Sequence, residues 1–105
     1  MKSILHFSLG AAILSVIWAG PVAAQAQDAS VRSMAATCAN CHGTDGRAQG
    51  GTVPGLAGRD SGLIASMMRE FRDGKRPATV MHQLAKGYTD QQIDTLAAYF
   101  AAVKN

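Results

Sequence analysis

The stretch Cys38-Ala39-Asn40-Cys41-His42 decides how this chain is read. Two thiols separated by two residues can both reach the vinyl groups on one edge of a porphyrin. The imidazole that follows them can then approach the iron from the same side. The pattern C-x-x-C-H is therefore read as a covalent haem attachment site, with Cys38 and Cys41 as anchors and His42 as an axial ligand. Other readings of the pair fare worse. A thioredoxin-like C-x-x-C belongs with a βαβ pattern, and none is visible. A zinc site needs four ligands, usually from two spaced pairs. Beyond the motif this chain has no further Cys and only His6 and His82.

The ends of the chain fit that chemistry. Lys2 gives a positive start, residues 4–18 are mostly apolar, and Gly20-Pro21 closes them. Val22-Ala23-Ala24 offers small residues for a signal peptidase, with Ala24-Gln25-Ala26 as a second candidate. This is the layout of a secretory signal peptide. His6, Ser8 and Ser15 interrupt the apolar stretch, which falls short of the ~18 continuous apolar residues of a spanning helix. The expected organisation is a cleaved leader over 1–24 and one domain over 25–105. No stable membrane insertion is expected after cleavage. The expected location is the bacterial periplasm, because c-type haem is attached after export.

A mature chain of about eighty residues buries only a small core and needs a staple. A covalently held haem is one, since it gives short helices an apolar plate to collapse on. Discounting Lys2, nine Lys and Arg stand against seven Asp and Glu. There is no basic tract or aromatic ladder, so nucleic-acid binding has little support. Arg69, Arg72, Lys75 and Arg76 form one local cluster. It reads first as a solvated helix end, with cations at the negative pole of the dipole. A docking patch for an acidic redox partner is the competing reading.

Along the mature chain, a helix is expected from Asp28 or Ser30 to the motif, with Val31, Met34, Ala35 and Cys38 at helical spacing. Gly43 to Gly58 is Gly-rich and reads as a loop passing close to a flat cofactor. It lacks the Lys-Ser/Thr and the preceding strand of a phosphate loop. Asp60 or Ser61 caps a second helix to about Asp73, with Leu63, Ile64, Met67, Met68 and Phe71 on its apolar face. Gly74 ends it. Thr79 to Ala85 is expected to hold a short helical turn. Thr89-Asp90-Gln91-Gln92 has the form of a capping box and opens a last helix to about Val103. No segment alternates at period two, so the fold class is all-α.

The second axial ligand decides the chemistry. Met34 shares a helix with the cysteines and is poorly placed for the far face. Met67 and Met68 lie where Met usually fills core gaps. Met81 sits in an inter-helix loop after Pro77, and His82 beside it would give two imidazoles. Position favours Met81 without excluding His82. A Met/His pair raises the reduction potential relative to two imidazoles.

The helix ending in C-x-x-C-H-G, the loop V-P-G-L-A-G, the Met-bearing loop and the final Y-T-D-Q-Q-I-D-T-L-A-A-Y-F helix resemble class I cytochrome c. The implied fold is three main helices plus a short one wrapped around one covalent haem. The stretch F-R-D-G-K-R-P-A-T-V-M-H-Q-L-A-K-G-Y-T-D further resembles the small haem subunit of flavocytochrome c sulfide dehydrogenase. It resembles the cytochrome c4 and c553 group more loosely. That resemblance implies Met81 as the distal ligand, and Pro54 as the residue whose carbonyl accepts a hydrogen bond from the proximal imidazole. The family often has a small residue where His82 stands.

The expected function is electron transfer by a single haem c, with no catalysis by the chain alone. The resemblance implies a subunit taking electrons from an FAD-containing sulfide dehydrogenase. The alternative is a freely diffusing c553-like shuttle between respiratory complexes. A haem enzyme or gas sensor with a labile distal site, and a haem-free dithiol module, are the competing classes.

Overall fold

A computed structural model describes the backbone of residues 20–104 and the side chains of residues 28–104. The charged start and apolar stretch of the expected leader fall on residues 1–19, outside the described residues. Four α-helices appear in order: α1 (Gly20–His42), α2 (Ser61–Arg72), α3 (Met81–Leu84) and α4 (Asp90–Ala102). Short 3-10 turns lie at Thr44–Gly46 and Ala85–Gly87. No strand occurs among the described residues. No described helix is long and apolar enough to cross a membrane.

Both ends of α2 and the start of α4 fall where the local chemistry says they should. Asp60 caps α2, its Oδ1 accepting from the Leu63 amide at 2.8 Å. At the other end Gly74 takes φ 71°, donating to the Phe71 carbonyl at 3.2 Å, while Lys75 donates to Glu70 at 2.8 Å. That crossed pair is a Schellman motif, and a glycine supplies the left-handed residue at least cost. The expected capping box forms at α4. Thr89 Oγ1 accepts from the Gln92 amide at 3.2 Å and Gln92 Oε1 accepts from the Thr89 amide at 2.9 Å.

The first helix differs from expectation. It is already helical at Gly20, the first described residue, and does not start at Asp28 or Ser30. Residues 22–29 read V-A-A-Q-A-Q-D-A, rich in Ala and Gln and without Gly or Pro. Good helix formers with no stop signal let the helix run back toward Pro21, which a first turn tolerates.

The core is small. Ala35 from α1, Ile64 and Ala65 from α2, and Ile93, Leu96, Ala97 and Phe100 from α4 are buried together. Cys38, Leu56, Met68, Tyr88 and Tyr99 pack around them. The attachment motif is thereby fixed to the core through its first cysteine. Outside the core, charges stitch α2 to α4. Arg69 reaches Asp94 at 2.7 Å and Asp90 at 3.0 Å, and Arg72 reaches Asp90 at 3.0 Å. Arg76 pairs with Glu70 at 2.9 Å and stacks over Phe71, and Lys75 lies 3.8 Å from Asp73. The basic cluster is thus balanced within the fold, which favours the helix-end reading over a docking patch.

Candidate haem site

The site is built on the C-terminal turn of α1. Cys38 is half-buried, Cys41 is exposed, and the two are not bonded to each other. Burial pushes the Cys38 thiol above its ordinary value, partly offset by the Thr37 hydroxyl. Among the described residues no group of three or more His, Cys, Asp or Glu side chains assembles. A zinc-type cage is therefore not what this motif builds there.

Past His42 the chain turns sharply. Gly43 takes φ 82°, and a Cβ there would overlap the Arg47 carbonyl. Its amide still closes the helix on the Ala39 carbonyl at 3.0 Å, and its own carbonyl accepts from Gly46 at 2.8 Å. Gly46 then pins the long loop. Its carbonyl accepts from both Leu56 (2.7 Å) and Ala57 (3.1 Å), so residues 47–55 leave and return at one point. The Gly58 amide ties the loop's end to the Phe100 carbonyl of α4 at 2.9 Å.

That closure brings Pro54 back to the motif. His42 Nδ1 lies 2.7 Å from the Pro54 carbonyl oxygen. A carbonyl can only accept, so Nδ1 carries the hydrogen and donates. The other nitrogen, Nε2, is left with its lone pair and a fixed direction. This is how metal-ligating imidazoles are oriented and made more basic.

On the other side of the sequence, Met81 opens α3 and is half-buried. Its neighbour His82 carries a buried Nδ1 with no hydrogen-bond partner. Met34 and Met68 pack against the core, as expected of gap-filling methionines. Among the described residues four large apolar side chains are exposed. Val53, Leu63, Val80 and Leu84 are 38, 47, 45 and 51 % exposed. Val53 adjoins Pro54, Val80 and Leu84 bracket Met81, and Leu63 is in the first turn of α2. Two free thiols, an oriented imidazole and a thioether fit haem c in donor set, and the exposed apolar side chains suit an apolar ring.

Sequence reasoning missed how the segment around the motif is anchored. Tyr99 Oη donates to Asp45 Oδ1 at 3.0 Å, and Tyr88 Oη meets Thr37 Oγ1 at 3.0 Å. Arg47 holds the Lys104 carbonyl at 2.6 Å and 3.2 Å. Burial, and after it the Asp45 carboxylate, holds the Tyr99 phenol above its ordinary value. Nothing in local spacing signals these contacts, whose partners lie more than fifty residues apart.

Helices packed on a C-x-x-C-H turn whose imidazole is held by a loop carbonyl define a c-type haem domain. The family model described as "Cytochrome C oxidase, cbb3-type, subunit III" matches residues 25–100, and the chain belongs to this cytochrome c family. The cytochrome subunit of sulfide dehydrogenase from Chlorobaculum tepidum is 41 % identical over 64 residues, covering 61 % of this chain and 57 % of that protein. Cytochrome c4 from Pseudomonas aeruginosa is 37 % identical over 76 residues, covering 72 % of this chain and 38 % of that protein. Cytochrome c-554(548) from Halomonas halodenitrificans is 36 % identical over 69 residues, covering 63 % of this chain and 83 % of that protein. The chain thus spans less than two thirds of the first two relatives. The solved cytochrome c4 of Acidithiobacillus ferrooxidans superposes with a TM-score of 0.64 at 32 % identity, over 78 % of this chain and 50 % of that one. The all-α class I cytochrome fold and haem c as cofactor follow from this membership.

Proposed function

We propose that this chain is an exported electron-transfer cytochrome with a single haem c, acting as the cytochrome subunit of an FAD-containing sulfide dehydrogenase. The observation that carries the haem part is the 2.7 Å contact between His42 Nδ1 and the Pro54 carbonyl. When bound, haem c supplies a one-electron iron couple, and the protein supplies orientation and low dielectric. Cys38 and Cys41 would hold the porphyrin through thioethers, and His42 and Met81 would supply the nitrogen and sulfur donors to its iron. Pro54 fixes the imidazole. Val53, Leu63, Val80 and Leu84 would exclude water from the ring. With both donors supplied by the chain, no position would be left for a substrate.

The dehydrogenase role draws on the Chlorobaculum relative and on the F-R-D-G-K-R-P-A-T-V-M segment. Two further relatives, from Stutzerimonas stutzeri and Thiomonas intermedia, are named thiosulfate dehydrogenase electron acceptors. They support a sulfur-compound dehydrogenase as the electron source. The test is purification of tagged protein from periplasm. A flavin-containing partner should co-purify, and sulfide should reduce the haem in that complex. A monomer that is never reduced by sulfide in periplasmic extract would sink the subunit role.

One observation favours a freely diffusing shuttle instead. The match covers 83 % of the Halomonas cytochrome c-554(548), so that relative is a chain of about this domain's size. The same purification separates the two roles.

A further inference from the structure

The chain has two tyrosines, and both spend their hydroxyls on the segment that carries the attachment motif. Tyr88 lies just before α4 and Tyr99 near its end. Their partners bracket the motif: Thr37 immediately precedes Cys38, and Asp45 lies three residues beyond His42. Thr37 has one hydroxyl hydrogen, and it goes to the Met34 carbonyl at 2.8 Å. Tyr88 must therefore donate to Thr37, leaving each phenol as the donor in its own bond.

The second bond ends on an unusual residue. Asp45 takes φ 52°, and no other described non-glycine residue has a positive φ. Such a backbone persists only where the surroundings over-determine it. Here Tyr99 holds one carboxylate oxygen at 3.0 Å and Arg47 approaches the other at 3.4 Å. Arg47 is itself tied to the Lys104 carbonyl beyond α4. The turn after His42 is thus fastened to α4 by side chains, while its carbonyls hold the loop that returns Pro54.

We infer that Tyr88 and Tyr99 are positioning residues, which grip both ends of residues 37–45 and so fix the direction of the His42 imidazole. The inference rests on the haem-binding reading of Cys38, Cys41 and His42. It predicts that removing a phenol hydroxyl loosens the ligand direction without removing the haem.

The test uses the exported, haem-bearing protein with Tyr99→Phe and Tyr88→Phe, which keep the ring packing. Thr37→Val reaches the first bond from its other end should Tyr88→Phe fold poorly. Asp60→Ala, at the cap of α2, serves as a destabilised control. Two readouts are taken: the low-spin ferric electron paramagnetic resonance spectrum, which senses imidazole orientation, and amide exchange of residues 43–47. Both phenylalanine variants should keep their haem, broaden the ferric signal and exchange several-fold faster in that turn. Asp60→Ala should only melt earlier. Unchanged spectra and exchange in the phenylalanine variants would overturn the inference. So would the same broadening in Asp60→Ala. A colourless wild-type protein would instead defeat the haem reading itself, and the exchange readout keeps the two failures apart.

Discussion

A Cβ placed on Gly46 would stand 2.9 Å from Phe100 Cδ1. The turn beyond the attachment motif and the inner face of α4 therefore meet with no room for a methyl group. Gly46 also takes φ 77°, and its carbonyl receives two loop amides. Gly46→Ala faces left-handed strain and overpacking together, about 2–4 kcal/mol in all. Denaturant unfolding of the haem-bearing protein should show this loss. A midpoint equal to wild type would mean the contact yields freely.

Thr89→Ala removes the side-chain half of the capping box at α4. A lost threonine cap costs about 1 kcal/mol, with reported values from 0.5 to 2. Thermal unfolding should register it, and the visible spectrum should stay unchanged because the hydrogen bonds of Thr89 stay at the start of α4.

Asp90 has a pH signature. Hydrogen bonds from Arg69, then Arg72, hold its carboxyl below the ordinary value of 3.8. A carboxyl depressed in the folded state adds stability that is fully present above its unfolded value. That stability is lost as pH falls through the lower folded value. Asp90→Asn should therefore lower stability at neutral pH and flatten the acid limb of the stability curve below about pH 4. Asp90 is exposed and the two guanidinium groups are partly so, and added salt should therefore shrink the difference. A pH profile parallel to wild type down to the acid transition would contradict this.

Met81→Ala should open one axial position. Reduced wild-type protein should ignore carbon monoxide, whereas the variant should bind it stoichiometrically with an immediate spectral shift. Adding His82→Ala to Met81→Ala should leave that binding intact. Carbon monoxide binding by the wild type without denaturant would show that Met81 does not hold the iron.

Much of this organisation could be read from the chain, because the signals were local. Asp60, Gly74 and the Thr89–Gln92 box mark helix ends within a few residues of themselves, and the structure places the ends there. The attachment motif is equally local. The N-terminal limit of α1 was not readable, since the Ala- and Gln-rich run offers no breaker and Asp28 and Ser30 are absorbed into the helix. The ties from Tyr99 to Asp45 and from Arg69 to Asp94 exist only once α4 has docked. No spacing rule pairs residues 54 or 25 positions apart. Pro54 was reached through likeness to a family, and the loop closure at Gly46 is the physical reason it lies where it does.

The partner that steadies His42 belongs to the main chain of Pro54, and this has a bearing on how the domain varies. A side-chain acceptor vanishes with one codon change, but a peptide oxygen survives nearly any replacement at its own position. Scanning mutagenesis would pass over residue 54 and register losses at the glycines that shape the loop. Drift in such a domain should fall on side chains bordering the site while the trace of the backbone stays the same.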